Sequence, residues 1–176
     1  MPRKPVGTNT LPTPDWFNGS TCMAGGIRVG TPSLGTQLSL YNDAPSGQYL
    51  YLYWLGIFND AEGGFRFATF PGSQGTLLQQ GAYVMANRGS AYGGVYYTDV
   101  PHNPSDFPAN DTQYPGLGYL WDDDGLSYFL NMGGPISILP PGWSFAVLNE
   151  WGGSASFGAT LACTFYYTIL PYVPTT

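Results

Sequence analysis

Asp122-Asp123-Asp124-Gly125 is the one acidic cluster in the sequence and the first place where chemistry would be sought. Calcium is held by loop carboxylates and carbonyls, and Asp-x-Asp followed by Gly is part of such a pattern. Asp122 and Asp124 are therefore the candidate metal ligands. The further ligands at regular spacing and the closing Glu are missing. Adjacent carboxylates at a strand end also cannot all reach one ion. A solvated acidic turn accounts for the cluster with fewer assumptions, and no cofactor is expected.

His102 is the single histidine, in Pro101-His102-Asn103-Pro104. A Ser-His-Asp relay needs such a residue. No Gly-x-Ser-x-Gly elbow accompanies it, and neither cysteine lies in a local catalytic signature. Glycoside hydrolysis needs two carboxyl groups about 5–10 Å apart. Glu62 and Glu150 are the only glutamates, and both fall in or beside turns. These features point away from an enzyme.

The two cysteines are Cys22 and Cys163. A Cys22–Cys163 disulfide would tie the start of the folded body to its last strand, closing a loop of about 140 residues. Without a secretory leader, compartment favours two reduced thiols buried as small apolar groups. Structural zinc takes about four Cys or His ligands, more than one histidine and two cysteines supply.

Aromatic residues make up 16% of the chain. Trp54, Trp121, Trp143 and Trp151, with the tyrosines, could offer a platform on which sugar rings stack. Core and subunit packing explain them with no extra assumption; a glycan partner, and with it a lectin-like or receptor-binding β-sandwich, is the alternative. Asn18-Gly19-Ser20 and Asn110-Asp111-Thr112 match the glycosylation acceptor pattern.

Charged residues are only 9%, and the formal charge is −6. Of five basic residues, Arg3 and Lys4 sit at the N-terminus, leaving Arg28, Arg66 and Arg88 for the body. Three scattered arginines build no phosphate-binding patch, so nucleic acid is not an expected partner. The longest apolar run, Tyr49 to Phe58, falls short of the roughly 20 residues of a spanning helix, so no membrane partner is expected either. The leader-like cations are followed by a polar, Pro-rich stretch rather than a hydrophobic one. A low-charge surface of Thr, Ser, Asn, Gln and Tyr does little to repel its own kind and suits dense packing.

The elements that would position these residues are strands. Thr160 to Ile169 alternates strictly, with Leu161, Cys163, Phe165, Tyr167 and Ile169 on one face and Thr160, Ala162, Thr164, Tyr166 and Thr168 on the other. Period-two alternation of this length predicts a half-buried strand. Before it come Ile136-Ser137-Ile138-Leu139, a Pro140-Pro141-Gly142 turn, and Trp143 to Leu148. Upstream, strands are predicted from Gly26 to Thr31, Gly35 to Tyr41, Tyr49 to Phe58, Phe65 to Phe70, Thr76 to Ala86 and Gly89 to Thr98. Turn clusters of Gly, Pro, Asn and Asp separate them. Tyr49 to Phe58 is nearly continuous in apolar and aromatic residues, which predicts burial on both faces or a subunit contact through Tyr49, Tyr51 and Tyr53. Residues 99–118 carry four prolines and read as a long loop. Residues 1–20 read as an extended Pro-rich arm, with Trp16 and Phe17 at its base. The expectation is one all-β domain over 21–176: a two-sheet antiparallel sandwich, jelly-roll-like, carrying an N-terminal arm over 1–20.

The block from Gly134 to Leu170 resembles the C-terminal end of small jelly-roll virion proteins of tailed bacteriophages. Those show an apolar strand, a Pro-Pro-Gly or similar turn, a hydrophobic strand and a long alternating final strand. Trimeric β-sandwiches of the tumour-necrosis-factor or C1q shape share this pattern. The phage resemblance implies a capsid decoration or cement protein made in the host cytoplasm and placed on the virion surface. It implies a homotrimer, with the major capsid protein or another virion protein as partner. For the glycan-binding alternative it implies a receptor-binding module on a phage tail. The arm, through Arg3, Lys4, Trp16 and Phe17, would contact a neighbour.

Overall fold

In the computed structural model of the protein, the described residues are 18–29, 34–59, 63–84, 89–101, 118–122, 127–130, 134–150 and 160–171. They form eleven strands and no helix: β1 (Thr21–Val29), β2 (Leu34–Tyr41), β3 (Gln48–Asn59), β4 (Gly63–Pro71), β5 (Thr76–Tyr83), β6 (Ser90–Pro101), β7 (Gly118–Asp122), β8 (Ser127–Leu130), β9 (Ser137–Leu139), β10 (Trp143–Glu150) and β11 (Thr160–Pro171). Every pairing is antiparallel. The hydrogen-bonded order is β7-β4-β10-β2-β6-β5-β1-β11-β3-β8, with β9 also on β3.

That order is a jelly roll with one insertion. One layer is β1-β11-β3-β8 and the other is β2-β10-β4-β7. The chain crosses from layer to layer as it goes from β1 to β2, β3 and β4, and again from β7 to β8, then from β9 to β10 and β11, with β8 and β9 both on β3. This is the weave of two interlocked Greek keys. The β5–β6 hairpin is the insertion: β5 pairs with β1 and β6 with β2, so hydrogen bonding runs unbroken from one layer into the other. Register shifts between Leu77/Gln79 and Gln80/Ala82 interrupt the β5–β6 ladder, and such bulges bend a sheet.

The core lies between the layers. Leu50, Leu52, Leu55 and Ile57 of β3 and Leu161, Cys163, Phe165 and Tyr167 of β11 meet Leu38 and Leu40 of β2, Phe65 and Phe67 of β4, and Phe145 and Val147 of β10. Each such Leu or Phe contributes about 1.5–3 kcal/mol by leaving water. The β11 alternation is confirmed from Leu161 to Tyr167; beyond it Thr168 is buried and Ile169 half-buried. On β3 the predicted two-sided burial gives way to one core face. A bulge between Leu52 and Trp54, opposite Tyr166 and Tyr167, resets the alternation. Leu50 and Leu52 before it and Leu55 and Ile57 after it therefore all point inward. Tyr49, Tyr51 and Tyr53 are half-buried rather than enclosed.

Two polar fixtures hold the ends of the sandwich. Buried Asn42 donates through Nδ2 to Gln48 O (3.1 Å) and Leu139 O (2.9 Å), while its Oδ1 accepts from Ala44 N–H (3.1 Å). Its own N–H donates to Trp143 O at 2.9 Å, and its carbonyl accepts from Gly142 N–H at 2.8 Å. One side chain and its peptide thus tie the turn after β2 to β9 and to the Pro140-Pro141-Gly142 turn. In that turn Trp143 N–H donates to Pro140 O, and Gly142 takes φ +81°, the conformation a type II turn demands after proline.

The second fixture is Tyr167. Its ring is buried in the core, and its hydroxyl donates to Tyr92 O (2.7 Å) and Gly93 O (3.2 Å) on β6. Gly81 and Gly93 make this possible, because a Cβ on Gly81 would land on the Tyr167 hydroxyl and one on Gly93 would lie 2.6 Å from it.

The first strand starts at Thr21, five residues before the predicted Gly26. Residues 99–101 belong to β6 rather than to a loop. The remainder of the predicted loop to Leu117 lies outside the described residues, as does the arm over 1–17. Asn18 to Ser20 form a turn in which Asn18 Oδ1 accepts from Ser20 N–H at 2.8 Å.

Candidate functional site

Cys22 and Cys163 are both buried, free thiols. The β1–β11 register sets Cys163 opposite Gly26, and Cys22 opposite Tyr167. Four residues of strand, about 13 Å, separate the two, whereas a disulfide needs Cα atoms within about 7 Å. The Cys22 thiol donates to Ser20 O at 3.4 Å. Burial pushes the Cys22 thiol up to about 11 and raises the Cys163 thiol further. Both thiols are therefore held protonated and poorly nucleophilic.

Asp122 ends β7 opposite Gly63. Asp124, His102, Glu62, Arg3, Lys4, Trp16, Phe17 and Trp151 lie outside the described residues. Among the described residues no group of three or more His, Cys, Asp or Glu could hold a metal ion, and no helix is long and apolar enough to cross a membrane. Arg28 is bound within the fold. Its guanidinium meets Asp99 at 3.0 Å and stacks over the Tyr97 ring at 4.4 Å, linking β1 to β6 across β5. The hydrogen bond to Asp99 raises the Arg28 pKa. Of the predicted sugar platform, Trp54 is half-buried and Trp143 packs against the core.

The two most exposed large hydrophobics among the described residues, Ile27 and Val29, lie on the outer face of β1-β11-β3. Alternation turns Met23, Gly25, Ile27 and Val29 outward on β1. Register places Tyr166, Thr164, Ala162 and Thr160 beside them on β11, then Trp54, Gly56 and Phe58 on β3. The result is a relief of rows crossing the strands. Met23, Tyr166 and Trp54 form one ridge, in which Trp54 and Tyr166 meet edge to face at 5.1 Å. Gly25, Thr164 and Gly56 form a trough. Ile27, Ala162 and Phe58 form the next ridge, and Val29 stands beyond it.

Ile27 is 63% exposed, Val29 65% and Phe58 42%. β-Branched and aromatic side chains this open on two strands separated only by β11 are unusual for a surface that faces only water. The trough opens into a groove of ≈ 370 Å³ between Met23 and Ile27, floored by Gly25, Gly26, Ala162 and Thr164 and closed on the β5 side by Gln79. Gln79 Oε1 accepts from Gly25 N–H at 3.0 Å. A Cβ on Gly25 would lie 3.0 Å from Cys163 O, so a larger residue there would disturb the trough. None of these outward side chains is an acid or a base of the Asp, Glu, Lys, Arg or His type. The sequence predicts a subunit contact through Tyr49, Tyr51 and Tyr53. They lie on the same strand as Trp54 and Phe58; like Trp54 they are half-buried, whereas Phe58 is exposed. In the sequence Ile27 and Val29, which carry the exposure, stand out only as part of the predicted first strand.

The sequence matches no family model, and no curated protein or solved structure is significantly similar to it.

Proposed function

We propose that the chain is a structural, non-enzymatic assembly protein: a jelly-roll decoration protein that binds the outside of a tailed-phage head as a homotrimer and stabilises the shell. The observation that carries this reading is the charge-free apolar relief on β1-β11-β3. With only 9% charged residues, the surface does little to repel other copies of the chain. The face bearing Ile27, Val29, Phe58, Met23, Trp54 and Tyr166 is where a neighbour docks with no carboxylate to desolvate. A trimer closes through heterologous contacts, so one part of this apolar face would meet a different part of the neighbour's around the three-fold axis, as hydrophobic subunit interfaces do. The resemblance of the 134–170 block to phage virion proteins supplies the shell as the larger partner, and the jelly roll observed is the fold that resemblance implies.

The test is the solution mass of the chain and of Ile27→Lys, with the fold of the variant checked by circular dichroism. The wild type should be a trimer and Ile27→Lys a folded monomer. A wild-type monomer at every concentration, or a trimer unaffected by a lysine on this face, refutes the assignment of the face.

A further inference from the structure

A second feature shares no residue with that face. Asp43, in the turn after β2, is exposed, yet its carboxylate is fixed from two sides. Gly93 N–H donates to Oδ1 at 2.6 Å, and Gln80 Nε2 donates to Oδ2 at 2.9 Å. Gln80 Nε2 also donates to Ala91 O at 3.0 Å, so the amide that orients the carboxylate is itself anchored to β6. A carboxylate offers about four acceptor positions. These contacts use two, and the exposed side of Asp43 keeps acceptor capacity for a ligand.

Beside Asp43 lies a pocket of ≈ 410 Å³ lined by Asp43, Gln80, Tyr83, Ser90, Ala91 and Tyr92. This falls in the range of small-molecule sites. Tyr92 is 48% exposed while its neighbours Ala91 and Gly93 are buried. Its backbone is clamped, because its carbonyl accepts the Tyr167 hydroxyl at 2.7 Å. An open aromatic ring on a fixed backbone, next to an oriented carboxylate and a serine hydroxyl, is a preorganised arrangement. It offers one flat apolar surface and several hydroxyl-recognising groups at its rim. A pyranose has the matching chemistry, a C–H face surrounded by hydroxyls. The Asp43 charge and the overall −6 disfavour acidic sugars.

We infer that this pocket binds a neutral saccharide, with a sugar ring stacked on Tyr92 and its hydroxyls donating to Asp43. The inference does not depend on assembly through the outer face, and each can fail alone. The site would let a shell-bound protein hold cell-surface or extracellular glycan weakly at each copy and more firmly through many copies.

The experiment is saturation-transfer difference NMR on the full chain with glucose, galactose, mannose, N-acetylglucosamine, lactose and maltose, and with propylammonium as an organic cation of similar reach. At least one neutral sugar should receive saturation, and its affinity should drop tenfold or more in Tyr92→Ala. Tyr92→Ala truncates an exposed ring and should leave the fold intact. Asp43→Asn, checked for fold by circular dichroism, should weaken binding similarly. The inference is overturned if no neutral sugar receives saturation, if Tyr92→Ala leaves transfer unchanged, or if only propylammonium binds.

Discussion

Gly81→Ala should be among the most damaging single-methyl changes in this protein, and its cost should depend on Tyr167. Gly81 has no positive φ to defend, so the effect is steric alone. The added Cβ would land on the Tyr167 hydroxyl, 2.6 Å from Gly93 O and 3.1 Å from Tyr92 O. A phenol end can swing away, but Gly93 O is backbone of the paired strand and cannot. Overpacking of this kind costs about 1–3 kcal/mol. Displacing the hydroxyl also breaks its bonds to Tyr92 O and Gly93 O, and leaving such buried groups unpaired adds about 1–3 kcal/mol. We expect about 3–4 kcal/mol for Gly81→Ala and about 1–3 kcal/mol for Tyr167→Phe. The double variant should cost about 1–2 kcal/mol less than the sum, because removing the hydroxyl relieves one clash and leaves the one with Gly93 O. Urea unfolding of the four proteins measures the cycle, with midpoints compared at constant slope. A Gly81→Ala cost within about 0.5 kcal/mol of zero, or strict additivity of the pair, would refute the proposed fit of Tyr167 through the hairpin.

Asn42→Ala removes three hydrogen bonds from a fully buried node and should cost about 3 kcal/mol in urea unfolding; a cost near zero would show that the turn after β2 does not depend on it. Native protein should react with neither thiol at neutral pH, and denatured, unreduced protein should react with two equivalents of a thiol reagent; a denatured count of zero would mean a disulfide and a wrong β1–β11 register. The part of the stability carried by the buried thiols and the Tyr167 phenol should be constant below about pH 8.5 and fall above it. Burial raises the Cys22 thiol to about 11, and the Cys163 thiol and the Tyr167 phenol are raised by burial too. Groups whose folded pKa exceeds the unfolded value stabilise below the latter, and each forfeits up to about 1.4 kcal/mol per pH unit above it. Unfolding midpoints that rise between pH 9 and pH 10.5 would contradict this sign.

The fold was legible where one strand carries one unbroken alternation and one clear turn. Leu161 to Tyr167 and the Pro140-Pro141-Gly142 turn are such places, and together they define the closing strands of the jelly roll. It was obscured where a local signal had a tertiary cause. The first strand is predicted to begin at Gly26, yet Gly25 and Gly26 both sit inside β1. Gly25 is there because Cys163 O approaches it, and Gly26 because the Leu78 and Val95 side chains fill the space a Cβ would take. The β3 bulge hid a one-sided strand behind a continuous apolar run, since one extra residue shifts the alternation midway.

The candidate sites were less legible still. Asp43 and Gly93 are fifty residues apart and become neighbours only through the β5–β6 insertion. Ile27 and Val29 look like ordinary strand residues until the register shows them pointing away from the core. Cys22 and Cys163 lie on adjacent strands, as a disulfide would require, but four residues out of register.

The most direct test of the account is sedimentation velocity on the wild type and on Ile27→Lys over a wide concentration range. Assembly through the β1-β11-β3 face predicts a stable species of three chains for the wild type and a folded single chain for the variant. A wild type that sediments as one chain throughout, with Ile27 and Val29 left open to water, would contradict it.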